Sequence, residues 1–165
     1  MGCSTRADVV SDEGSEIDCR GVPCTWTIVQ GDAKIGAGWL DGDPVVDLSA
    51  MGPVVIEQRA VLIALTTRQL LLQAAVVRDD GVAIRFELDW YAAGPGFGKS
   101  FWDRSPVKLE SAAFPVWEAG TSHLQRTVAV PSEAVAVVLR IAKSGSGRAV
   151  VGELTLGRFP PGRSP

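Results

Sequence analysis

The stretch Val82-Ala-Ile-Arg-Phe-Glu-Leu-Asp-Trp-Tyr91 decides the fold. Val82, Ile84, Phe86, Leu88 and Trp90 fall on one parity, and Ala83, Arg85, Glu87, Asp89 and Tyr91 on the other. Side chains alternate across a strand, so this ribbon has an apolar face and a wet face. A helix would mix the two sets around its circumference. Burial on one face is the habit of antiparallel sheets, and the apolar face requires a second sheet to cover it.

The rest of the chain supplies that sheet as short apolar runs between turn signals. Thr25–Gln30, with Trp26 and Ile28 on one parity, reads as a first strand turned by Gly31-Asp32. Ile35–Leu40, Val45–Leu48 and Val54–Gln58 follow, separated by Asp41-Gly-Asp-Pro44 and Met51-Gly-Pro53. Ala60–Leu65 and Leu70–Arg78 flank a Thr-Thr-Arg-Gln junction. Their leucines and alanines also suit a helix, but strand-like runs on both sides favour strands. Asp79-Asp-Gly81 predicts a hairpin into the central strand. A Gly/Pro/aromatic loop covers residues 92–106. Strands are then expected at Val107–Ala112, Leu124–Val130, Ala134–Ala142 and Ala149–Leu156, with Phe114–Trp117 irregular. Turns about every ten residues without strand–helix alternation predict an all-β domain, a sandwich or barrel.

Composition bounds the function. The chain has 165 residues, 16 basic against 19 acidic, and a net charge of -3, with the basic residues scattered. A nucleic-acid footprint wants a dense basic face, so nucleic acid is not an expected partner. The apolar run from Ala60 to Val77 is broken by Thr66–Gln69 and falls short of the ~20 apolar residues of a membrane span. A domain of this size buries roughly two-thirds of its unfolded surface and needs no staple to fold. Residues 1–18 are rich in Ser, Asp, Glu and Gly and read as a disordered, flexible tether. Residues 19–159 form the domain, and 160–165 a frayed tail.

Cys19-Arg-Gly-Val-Pro-Cys24 closes a tight loop. In an exported protein it reads as a local disulfide pinning the start of the first strand, worth about 2 kcal/mol in chain entropy. A zinc site would need four thiolate or imidazole ligands, and Cys3, Cys19, Cys24 and His123 are the complete supply. Ala93-Gly-Pro-Gly-Phe-Gly-Lys-Ser100 fits a relaxed phosphate-binding loop. Such a loop must open a helix, and Phe101–Pro106 is a poor helix start. His123, with Ser122 beside it and Asp103 upstream, would need all three side chains in contact to act as a hydrolase. The aromatic set is the stronger signal. Tyr91, Phe97, Phe101, Trp102 and Trp117 crowd in or beside one loop region, either as a stacking platform for sugar rings or folded back into a satellite core; Trp90, on the apolar parity, belongs to the core.

Three stretches carry a resemblance. Thr25-Trp26 to Gly31, Val54-Val-Ile-Glu-Gln58, and Ala134–Leu156 with its Lys-Ser-Gly-Ser-Gly turn resemble the opening, middle and closing strands of galactose-binding-domain-like jelly-roll sandwiches, over roughly Cys24–Phe159. The resemblance implies an antiparallel jelly-roll β-sandwich acting as a non-catalytic, ligand-binding module, with carbohydrate as the leading ligand class. The alternatives are a structural or adhesion domain acting through protein–protein contacts, with an envelope protein as partner, and, behind it, an enzyme working through Lys99 or His123. It also implies an edge calcium site, for which Asp32, Asp41, Asp43 and Glu153 are candidates by position; no other cofactor is expected. Gly2-Cys3-Ser4 resembles the processing site of a bacterial lipoprotein. That implies lipidation of Cys3, export to the periplasm or cell surface, and membrane contact through that anchor alone.

Overall fold

A computed structural model of the chain describes residues 10–11, 26–37, 44–62, 68–116 and 120–157. Its strands are β1 (Val10–Ser11), β2 (Thr27–Gln30), β3 (Lys34–Ala37), β4 (Pro44–Asp47), β5 (Val54–Leu62), β6 (Gln69–Arg78), β7 (Ala83–Ala92), β8 (Val107–Val116), β9 (Gly120–Ala129), β10 (Ala136–Ser144) and β11 (Ala149–Gly157). One sheet runs β5-β10-β7-β8, with β1 and β2 both along the outer side of β5; the other runs β3-β4-β11-β6-β9. Every pairing is antiparallel. From β4 onward the chain changes sheet at each step except β7 to β8. The resulting orders, 4-11-6-9 against 5-10-7-8, are those of a jelly roll.

The central strand alternates as its parity demands. Ile84, Phe86, Leu88 and Trp90 are buried; the last three stand in register with Ile141, Leu139 and Val137 of β10, Ile84 stands opposite Lys143, and the apolar set packs into one core with Leu70, Leu72, Ala74 and Val76 of β6. The run Leu70–Arg78 is a strand. Its helix-like richness in leucine and alanine comes from burial on both faces: Leu71 and Ala75 are as enclosed as Leu70 and Leu72.

Several sequence expectations are corrected. Val54–Gln58 and the start of the next run form one strand, β5. Asp79-Asp-Gly81 makes no hairpin, because β6 and β7 belong to different sheets. The turn crosses between layers, and so does Gly145–Gly147 between β10 and β11. The two turns abut: Gly81 and Gly145 both hold φ of 85°, and a Cβ on Gly145 would come within 2.6 Å of the Gly81 carbonyl. Asp79 locks the pair, its backbone N–H donating to the Arg148 carbonyl at 2.9 Å and its Oδ2 accepting from the Arg148 N–H at 2.8 Å. β2 is an exposed edge strand, with Trp26 packing on the core just before it while Ile28 and Val29 face solvent. β8 continues through Pro115, a residue that strands accept at a sheet edge, where β8 lies. Val10–Ser11, within the stretch read as a tether, pairs with Leu62 and Val61 of β5. The remaining tether residues and the 160–165 tail lie outside the described residues.

Candidate functional site on the outer face of β5-β10-β7-β8

Register fixes which side chains share the outer face of this sheet. Four rows cross it: Val55, Ala142, Arg85 and Pro115; Glu57, Arg140, Glu87 and Ala113; Arg59, Val138, Asp89 and Ser111; and Ala136, Tyr91 and Lys108. The second and third rows carry most of the charge, and the fourth carries the aromatic Tyr91.

Arg140 is the hub. Its Nη1 donates to Glu87 Oε2 at 3.3 Å and to Asp89 Oδ2 at 3.0 Å, and its Nη2 donates to Glu57 Oε2 at 3.2 Å. Each carboxylate has a further partner. Arg59 lies 3.7 Å from Glu57, Arg85 lies 2.6 Å from Glu87, and Asp89 Oδ1 accepts from the Ser111 hydroxyl at 2.6 Å with Lys108 Nζ at 3.7 Å. Asp89 departs from the expected wet face: only 3% of it is exposed. Burial alone would raise its carboxyl, but the Ser111 hydroxyl, the Arg140 guanidinium and the Lys108 ammonium outweigh that and hold it below the ordinary carboxylate range. Burial likewise disfavours the charged Arg140, yet its three carboxylates win, led by Asp89, and keep it firmly protonated.

The loop after β7 folds over this face. Gly94 lies so close to the opposite limb that a Cβ there would sit 1.7 Å from the Ser105 carbonyl, and a Cβ on Gly98 would sit 2.4 Å from Asp103 Cβ. The glycines of the phosphate-loop-like motif therefore serve close approach of the two limbs. Phe101–Arg104 after them is a single 3-10 turn. Ser100 caps it, its hydroxyl accepting from the Trp102 N–H at 3.2 Å. Arg104 closes the loop onto the Gly98 and Lys99 carbonyls at 3.0 and 3.3 Å. Trp102 meets Tyr91 edge-on at a centroid distance of 5.5 Å, and the Arg59 guanidinium lies 5.3 Å from its ring centroid. Arg59 is on β5 and Tyr91 on β7, so the indole spans β10 between them. That position accounts for the burial of Ala136 and Val138, which register otherwise assigns to the open face.

Of the aromatics singled out from the sequence, the structure brings together Tyr91, Phe101 and Trp102. Tyr91 and Trp102 are half-buried. Phe101 is 7% exposed and stands edge-on to Trp102 at 5.1 Å, so it backs the indole and offers no open surface. Phe97 is 95% exposed. Trp117 lies outside the described residues, as do Cys3, Cys19, Cys24, Asp41 and Asp43. Asp32 is exposed in the turn before β3, and Glu153 lies on β11. Among the described residues no three His, Cys, Asp or Glu side chains gather as metal ligands. His123 sits on β9 in the other sheet, far in topology from Asp103, and Ser122 beside it faces the opposite side of that strand. The sequence reading missed Glu57, Arg59, Glu87, Asp89, Lys108 and Arg140, because each looked like an isolated surface charge.

No family model and no curated protein matches the chain. Solved structures match at the level of fold. A family 61 carbohydrate-binding module solved with β-1,4-galactotriose is 11% identical at a TM-score of 0.53, covering 81% of this chain and 87% of that one. The CBM22-2 xylan-binding domain of Xyn10C from Paenibacillus barcinonensis is 11% identical at 0.53, covering 85% and 95%. The enzymatically active domain of tailspike protein 4 from bacteriophage CBA120 is 11% identical at 0.57; the match takes in 90% of this chain but 20% of the tailspike's. The chain has the antiparallel jelly-roll β-sandwich fold of these carbohydrate-binding modules.

Proposed function

We propose that the protein is a non-catalytic carbohydrate-binding module whose ligand lies on the outer face of β5-β10-β7-β8. The observation that carries this is the half-buried Trp102–Tyr91 pair, held by a braced loop at one end of a charged sheet face. Aromatic surface fixed beside polar groups suits sugar rings, which offer apolar C–H faces edged by hydroxyls. Phe97, exposed in the same loop, extends the contact. Two fold neighbours are described as bound to galactotriose or as xylan-binding, which supports the ligand class.

The carboxylates support a non-catalytic role. A glycoside hydrolase keeps one carboxyl protonated near neutrality as its acid. Here Glu57, Glu87 and Asp89 are all tied to cations, and Asp89 is shifted the other way. A protein-docking face would call for a contiguous exposed apolar surface on this sheet, and its two middle rows are charged. The proposal includes export, with Cys3 lipidated and Cys19 bonded to Cys24 on a bacterial envelope. A glycan array with the wild-type protein, followed by titration of Trp102→Ala and Tyr91→Ala on any hit, tests the binding role. Loss of binding with a melting temperature that shifts by only a few degrees supports it, and an array without a hit overturns it.

A further inference from the structure

We infer that the glycan is acidic, carrying carboxylate or sulfate groups; this rests on the carbohydrate-binding reading above. The face has four cations, Arg59, Arg85, Lys108 and Arg140, against three carboxylates, Glu57, Glu87 and Asp89. The two signs are not equally placed. The side chains of Arg59, Arg85 and Lys108 are 56%, 56% and 53% exposed, whereas those of Glu57, Glu87 and Asp89 are 14%, 19% and 4% exposed. The carboxylates are recessed around Arg140, and the outer cations ring them on three different strands.

The hydrogen-bonding capacity is equally one-sided. Five of the six carboxylate oxygens accept a hydrogen bond from Arg85, Arg140 or the Ser111 hydroxyl, and the sixth, Glu57 Oε1, faces the Arg59 guanidinium at 3.7 Å. A guanidinium carries five N–H donors and an ammonium three, so the outer cations keep donors to spare after those contacts. A neutral sugar hydroxyl needs partners that accept as well as donate. This face offers ligand mostly cationic donors, which match the acceptor-only oxygens of a uronate or a sulfate ester. The net charge of the whole chain is -3, so an attraction for polyanions would come from this face and not from bulk charge.

The test compares polygalacturonate, the same polymer fully methyl-esterified, dextran sulfate and neutral galactan, by affinity electrophoresis or calorimetry on the full chain. Wild type and Arg85→Gln/Lys108→Gln are measured side by side; both side chains are exposed, and a melting curve confirms that the variant folds. The expected result is about tenfold tighter binding to an anionic polymer than to the esterified or neutral ones, lost in the double variant and weakened by salt. Preference for polygalacturonate identifies uronate as the recognised group, and preference for dextran sulfate identifies sulfate. Equal or tighter binding to the uncharged polymers overturns the inference and leaves the carbohydrate-binding reading standing. An anionic preference that survives in the double variant also overturns it. Binding to none of the polymers, joined to an empty glycan array, overturns both.

Discussion

Arg140 and Asp89 are 51 residues apart in sequence, and on the outer sheet face the guanidinium Nη1 lies 3.0 Å from the carboxylate Oδ2. Asp89 is buried, and it is held there by this guanidinium, the Ser111 hydroxyl and the Lys108 ammonium. A buried pair of this kind adds little over an apolar replacement of both members, but losing one member is costly. Arg140→Ala would leave three carboxylates facing one another. It is expected to destabilise the fold by about 3 kcal/mol, the low end for a broken buried pair, because the guanidinium is 27% exposed. Chemical denaturation at pH 7 measures it.

The acid limb follows from the same carboxylate. Its folded value is depressed, so its contribution is present above the unfolded carboxyl value of about 3.9 and is lost as pH falls through the lower folded value. Asp89→Asn should therefore be less stable than wild type at pH 7, with the gap closing as pH drops below about 4. A gap that stays constant down to pH 2 would show that Asp89 is not held ionised in the fold.

Lys143 tests the opposite limb. It is buried at the end of the inner face, where its ammonium donates to the Ala50 carbonyl and, at 2.8 Å, to the Gly52 carbonyl. Burial lowers its pKa. Between the folded value and the unfolded value of about 10.4 the unfolded chain binds more protons, so stability rises with pH through that window. Wild type should gain on Lys143→Met as pH is raised toward 10. Parallel melting curves for the two proteins would contradict this.

The core prediction separates the two faces of β7. Phe86 is fully buried between the sheets, and Phe86→Ala should cost about 3–5 kcal/mol. Glu87, on the outer face in a partly exposed ion network, should cost under about 1 kcal/mol on replacement by alanine. Comparable losses would mean that the strand is enclosed on both sides.

β7 was legible because it alternates without interruption. β6 was ambiguous because burial on both faces erases the period that distinguishes strand from helix. The turns at Gly81 and Gly145 were legible as turns, but their role as crossings between sheets depends on which strands pair, and local chemistry does not encode that. The site divides the same way. Tyr91 and Trp102 stand out by residue type and by their place beside a Gly/Pro-rich loop. Arg140 does not, because its meaning comes from register: Glu57 and Glu87 become its neighbours only when β5 and β7 flank β10. Phe101 and Trp102 are adjacent and indistinguishable in sequence, and the 3-10 turn alone decides which is buried.

The proposed export carries its own check. Thiol titration of the unreduced, unfolded protein purified from an exporting host should leave Cys19 and Cys24 unreactive, since they would be joined as a disulfide. Reactivity at both would remove the disulfide and weaken the export proposal.

Titration of glycan into wild type and into Trp102→Ala, each accompanied by a melting curve, decides whether the indole is a binding surface. Trp102 lies across β10 with Arg59 and Tyr91 on either side, and its ring is half-buried. Removing the indole is expected to weaken binding by at least about 1 kcal/mol while the melting temperature shifts by only a few degrees. Unchanged glycan affinity in a variant that has lost several kcal/mol of stability, as large-to-small core changes do, would contradict it.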